Sequence, residues 1–112
     1  MREPTYFILV SLQDGPLHGY AVTKRVAELS GQRLKLAAGT LYEALVRLER
    51  EGYVLAGDPE IVDGRARRAY EITDTGRSAL QAEADRMTQA ARLVNRDAAR
   101  STVATNFGLA GA

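Results

Sequence analysis

The pattern of apolar and polar residues along this chain predicts four helices and a hairpin. The first stretch, from Pro4 to Gln13, carries Tyr6, Phe7, Ile8, Leu9, Val10 and Leu12. So continuous a run predicts a helix buried on more than one side, with Pro4 tolerated in its first turn. Asp14-Gly-Pro-Leu-His-Gly19 has the composition of a turn. A second helix is expected from about Gly19 to Leu29, with Tyr20, Val22, Val26 and Leu29 apolar and Lys24, Arg25 and Glu28 outward, ending at Ser30-Gly31. Arg33-Leu-Lys-Leu36 alternates polar and apolar, which predicts a short strand lying against a hairpin.

The third helix, from about Ala38 to Glu51, has the clearest pattern. Leu41, Ala44, Leu45 and Leu48 share one face that can pack on a core. Thr40, Glu43, Val46, Arg47 and Arg50 point the other way, with Tyr42 on the flank. Gly52 suits the left-handed residue that stops a helix. Tyr53 to Gly57 and Arg67 to Ile72 then read as antiparallel strands around a loop from Asp58 to Gly64. Asp63-Gly64 is a turn signal, although Pro59 and the loop length argue against a simple two-residue hairpin. Thr73 is a good N-cap for the last helix, and Asp74 suits its positive end. That helix is expected to reach about Arg100, leaving Ser101 to Ala112 as a frayed tail.

The order helix, helix, short strand, helix, strand, loop, strand describes a helix-turn-helix with a β hairpin attached, a winged helix. The expected fold is therefore mainly α with a small β wing: a winged helix over 1–72, a long C-terminal helix over 73–100 and a flexible tail over 101–112. A helix with a free polar face beside an arginine-bearing hairpin is what a duplex reader requires. The helix can enter the major groove while the arginines hold the neighbouring backbone. Spacing alone equally suits a small α+β core with a solvated helix face.

Composition narrows these readings. The 112 residues suit one domain. No apolar run approaches a membrane span; Tyr6 to Val10 is far too short. The first residues lack the basic start, apolar core and cleavage site of a secretory signal, and cysteine is absent, so a cytoplasmic place is expected. Without cysteine there are no disulfides, thiolate metal sites or cysteine nucleophiles. With one histidine and no phosphate-loop motif, no catalytic or metal constellation is visible, and neither an enzyme nor a cofactor is expected. Fifteen basic and fourteen acidic residues nearly cancel, which is not the usual footprint of nucleic-acid binding. Distribution partly answers this. Between Gly64 and Tyr70 lie three arginines and no acid, while acids gather at Glu49, Glu51, Asp58 and Glu60.

Particular motifs carry a stronger signal. His18-Gly-Tyr20 opens the second helix, Leu36-Ala-Ala-Gly-Thr-Leu-Tyr42 opens the third, and Leu45-Val-Arg-Leu-Glu49 and Glu51-Gly-Tyr-Val54 follow. Arg67-Arg-Ala-Tyr-Glu-Ile-Thr-Asp-Thr-Gly-Arg77 closes the series. In this order and at these distances, the chain resembles the PadR-like transcriptional regulators over about residues 3 to 98. The resemblance implies a dimeric DNA-binding repressor or regulator with an N-terminal winged helix. The length is similar to short members in which one long helix dimerises. The chain departs from the family's usual Ser-Pro at Ala37-Ala38, losing a cap worth about 1 kcal/mol and any hydroxyl contact to phosphate there.

Candidate contacts to double-stranded DNA follow. Backbone N–H groups near Gly39, Thr40 and Leu41 are donors suited to a phosphate, Gly39 permits close approach, and the Thr40 hydroxyl adds a donor. Tyr42 can reach a phosphate, a sugar or a thymine methyl, or it can pack half-buried on the second helix; the resemblance favours contact. Glu43 can accept from a cytosine amino group or pair with Arg47 one turn on. Arg47 can contact phosphate or guanine, or be held by Glu43 and Glu51. By strand alternation Arg65 and Arg67 share a face as backbone or minor-groove contacts, while Arg68 falls with Tyr70 and Ile72 and is more structural. Lys24 and Lys35 are secondary candidates, and His18 suits helix-start packing or a phosphate.

Leu80, Ala84, Met87, Ala91, Val94 and Ala98 form a heptad seam on the last helix, with small alanines allowing close approach. Packing on the chain's own first helix would use only part of this length, so a two-fold homodimer is expected. Two recognition helices would then meet half-sites about one helical turn apart on a near-palindromic operator. Release by a small-molecule effector is implied by the resemblance alone. The competing reading is a winged helix used as a protein-interaction module, without specific DNA binding.

Overall fold

A computed structural model describes the backbone of residues 1–111 and the side chains of residues 1–96. The expected tail at 101–112 and the seam residue Ala98 lie outside the residues whose side chains are described. The chain divides into one compact unit over Met1–Gln81 and a second from Ala82 onward.

The first unit is a winged helix. α1 (Glu3–Ser11) opens with Pro4 in its first turn and sinks Ile8 and Leu9 completely, with Leu12 just beyond it. Ser11 is buried too, and its hydroxyl donates to the Ile8 carbonyl at 2.6 Å, so the polar group is not left orphaned. β1 (Leu17–His18) leads directly into α2 (Gly19–Leu29), whose Val22 and Val26 face α1 in the core. Gly31 at φ +64° ends α2, its N–H donating to the Glu28 carbonyl and the Gln32 N–H to the Ala27 carbonyl. α3 (Ala38–Arg50) contributes Leu41, Ala44, Leu45 and Leu48 to the same core, as its stripe predicted. It ends in the same way: Gly52 takes φ +80°, and the Tyr53 N–H reaches back to the Leu48 carbonyl at 2.9 Å.

The sheet differs from the expectation in two respects. Residues 33–36 form no strand. Their alternation arises because Leu34 and Leu36 pack on the core, while the Leu34 N–H is taken locally by the Ser30 hydroxyl at 3.0 Å. The third strand is β1 instead, in a segment with the composition of a turn. It pairs antiparallel with β5 (Ala69–Ile72), Leu17 opposite Tyr70 and His18 opposite Ala69. β2 (Val54–Ala56) pairs with the other edge of β5, Val54 opposite Ile72, giving the order β1-β5-β2.

The second difference lies in the loop between β2 and β5. It folds into a hairpin of its own, β3 (Glu60–Val62) against β4 (Arg65–Arg67), joined by Asp63-Gly64 alone. Both turn residues have positive φ, 51° and 76°, the conformation a tight two-residue connection requires and an Asp-Gly pair accepts. Pro59 precedes β3 and so interrupts no ladder. A two-residue hairpin therefore exists here, and the loop is the wing.

α4 (Asp74–Gly111) starts as expected at Thr73, whose hydroxyl accepts from the Gly76 N–H at 2.9 Å and donates to the Gly52 carbonyl at 2.6 Å. Gly76 is required: a Cβ there would stand 2.2 Å from the Tyr53 carbonyl oxygen. Leu80, counted with the heptad seam, is 4% exposed in the core of its own chain, so the first unit includes the start of α4. In the second unit Met87, Leu93 and Val94 are exposed, Val94 at 69%.

Candidate nucleic-acid interface

Two helix starts and the wing arginines line one cleft. α3 begins after Ala37 and α2 after His18, and neither of these residues makes a side-chain capping bond. The Leu41 N–H already donates to the Ala37 carbonyl at 3.0 Å, so the unpaired donors of α3 are those of Ala38, Gly39 and Thr40, one position earlier than expected. All three residues are exposed. Gly19 and Tyr20 at the start of α2, together with Ala38, Tyr42 and Arg65 to Arg68, border a cleft of about 540 Å³. Among the described residues no acidic one borders it. Partial positive charge from two helix ends and full charge from three arginines thus converge on one concave surface, which suits an anionic backbone.

Each predicted residue has a definite place. Gly39 is exposed and an added Cβ would meet nothing within 4 Å, so the fold itself does not demand glycine there. Thr40 is exposed on the same turn. Tyr42 is 53% exposed, on the flank of α3 beside the start of α2. Its ring borders both the cleft and the outer face of α3, alongside Glu43, Val46, Arg47 and Arg50.

Glu43 and Arg47 do not pair with each other, nor does Glu51 hold Arg47. The Arg47 guanidinium donates instead to the hydroxyl of Thr5 on α1 at 2.9 Å, a residue that is itself buried. Spacing along one helix could not reveal that tie, because its partner lies 42 residues away. Arg47 therefore helps fix α3 on α1, while Glu43 lies on the exposed face without an ion pair among the described residues.

On the wing, Arg65 and Arg67 share one face of β4, opposite Val62 and Glu60 respectively. Arg67 is half-buried and Arg68 exposed, which reverses their expected order. The ladder breaks at Arg68, between β4 and β5, so alternation counted back from Tyr70 does not extend into the wing. Arg68 belongs with the other two arginines on the cleft.

Tyr20, missed as a site residue although its motif was legible, is 67% exposed beside the cleft. Lys24 holds its ammonium 5.9 Å from the Tyr20 ring centre, a cation–π contact next to the cleft. Lys35 is exposed. His18 is both the last residue of β1 and the residue before α2. Its Nε2 is enclosed without a hydrogen bond, 3.5 Å from the Glu60 carboxylate of the wing. Tyr70, buried in β5 opposite Leu17, has its phenol pushed above the ordinary range by burial first, then by Tyr42 and Glu49; Arg68 opposes them.

Among the described residues no group of His, Asp or Glu has the arrangement of a metal site, and no helix is long and apolar enough to cross a membrane. The model of the transcriptional regulator PadR-like family matches residues 8–82. The chain belongs to that family. Among PadR-like and related proteins, the transcriptional regulator Rv3488 of Mycobacterium tuberculosis is 40% identical over 87 residues, 78% of each chain. Bacillus subtilis PadR, solved in complex with operator DNA, is 30% identical with a TM-score of 0.62, covering 71% of this chain and 46% of that one. A PadR family transcription regulator from Clostridium difficile R20291 has the same fold, with a TM-score of 0.72 at 23% identity over 85% of this chain and 97% of that one. The chain is thus a PadR-like transcriptional regulator, in a family of regulators and not of enzymes.

Proposed function

We propose that this regulator binds double-stranded DNA in a sequence-specific manner and represses transcription from the promoter it occupies. The observation that carries the reading is the acid-free cleft where the starts of α2 and α3 meet Arg65, Arg67 and Arg68, beside the exposed face of α3. Phosphates seat on the unpaired N–H groups of Ala38, Gly39 and Thr40, and the wing arginines hold the adjoining backbone. Tyr42 and Glu43 then face the major groove. The 30% identical Bacillus subtilis PadR bound to operator DNA supports this partner.

The active form in this proposal is a homodimer in the cytoplasm, joined through Ala84, Met87, Ala91 and Val94 and reading a near-palindromic operator. A small-molecule effector, implied by family resemblance, would act by altering the separation of the two wings. Selection of bound fragments from the source genome tests the reading, followed by the same measurement on a protein carrying Arg65→Ala and Arg67→Ala. Loss of two phosphate contacts should weaken binding across sequences and reduce the dependence of affinity on salt by roughly two counter-ions.

The near-zero net charge favours a second reading, a protein-interaction module that uses the same helix face. Ionic strength separates the two. Binding through phosphates falls steeply with added salt, whereas an apolar protein interface barely responds.

A further inference from the structure

We propose that Val46 is a specificity-determining residue that reads the C5 methyl group of a thymine in the major groove. This rests on the DNA-binding reading above. Val46 lies on the side of α3 opposite Leu41, Ala44, Leu45 and Leu48, and it is 54% exposed. Nothing in the fold asks for valine there. The core does not use it, and a β-branched side chain is a poorer choice on an exposed helix surface than alanine, leucine or glutamate.

Its surroundings give the position a chemical sense. Tyr42 stands one turn before it and Arg50 one turn after, and the three border one shallow exposed groove with Glu43 and Arg47. Arg47 gives one of its donors to the Thr5 hydroxyl, which draws the most obvious base-reading group at mid-helix toward α1. What remains at mid-helix is an aliphatic group flanked by an aromatic ring. The thymine methyl is the one apolar group that a base pair presents in the major groove. The strip is continuous at Tyr42 with the arginine-lined cleft, so a duplex seated by its phosphates there lays its groove along Val46.

Deoxyuridine differs from thymidine only by that methyl, so it isolates the contact. The test takes the duplex recovered by the protein from a randomised library and replaces each thymine in turn with deoxyuridine. Affinity is measured for the wild-type protein, Val46→Ala and Tyr42→Ala. Alanine is the better helix former, so Val46→Ala keeps the fold, checked by circular dichroism and thermal unfolding. One position in each half-site should weaken wild-type binding about fourfold, the effect of one buried methyl. Because the substitution acts in both protomers, Val46→Ala should lose about fourfold per half-site, roughly sixteenfold in all, on the thymine duplex and nothing further when that methyl is removed.

The proposal is overturned if Val46→Ala binds the thymine duplex as well as wild type, or if it keeps the full deoxyuridine penalty. A penalty that persists in Val46→Ala and vanishes in Tyr42→Ala assigns the methyl to Tyr42 instead. Failure of the wild-type protein to retain any duplex overturns the DNA-binding reading itself, a result distinct from the others.

Discussion

Gly39 and Gly76 illustrate opposite reasons for a glycine. At Gly76 a side chain would collide with the Tyr53 carbonyl at 2.2 Å and with Ile72 at 2.9 Å, so the residue is fixed by packing. At Gly39 there is open space, and the residue costs helix stability without any return inside the chain. Gly39→Ala should therefore leave stability unchanged or raise it by up to about 1 kcal/mol. The same change should weaken DNA binding, because the methyl would stand where a phosphate is proposed to approach the helix start. Urea unfolding and a binding titration on one preparation check both directions. Tyr70 makes a pH prediction. Burial, then Tyr42 and Glu49, raise its phenol above the ordinary value of 10.0. The folded state then holds the proton more tightly than the unfolded state. The Tyr70 contribution is full below the ordinary value and lost as pH rises through the raised one. Stability should fall above about pH 10, and Tyr70→Phe should lessen that fall when urea midpoints at neutral and alkaline pH are compared.

Among the elements, α3, like α2, starts without a side-chain cap, since Ala37 offers no hydroxyl to its free donors. Ala37→Ser should add a capping bond and stabilise the protein by about 1 kcal/mol, read as a raised thermal midpoint. α2, α3 and the start of α4 were legible because apolar periodicity, helix-ending glycines and the Thr73 cap are local signals. β1 was not legible. Two residues carry no periodicity, and their pairing with β5 is a contact across more than fifty positions of the chain. The segment 33–36 shows the converse, an alternating pattern created by Leu34 and Leu36 packing on the core, without a strand. The wing hairpin announced itself through Asp63-Gly64; the loop around it suggested a longer connection than the chain makes.

For the whole molecule, the near balance of charge means that the arginine cleft has to supply the attraction to a duplex. A two-fold assembly would present that cleft twice. Met87 and Val94 are exposed on the second unit, at 42% and 69%, in the heptad positions proposed to pair. Met87→Glu would bring two carboxylates together at such a seam. Sedimentation should then show monomers, with loss of operator binding. A dimer that survives the change would place the interface elsewhere.

By itself the sequence determined the helices, the core stripe of α3, the ends at Gly31 and Gly52, and the family, since each depends on neighbours close along the chain or on motifs in order. Tertiary structure alone decided which strand completes the sheet, that Arg47 is held by Thr5, that Arg68 joins the cleft, and that Leu80 packs in the core of its own chain. The physical reason is the same throughout. A side chain's role depends on the groups that surround it, and in these cases the decisive neighbour, or a break in the ladder, lies beyond the reach of a local repeat.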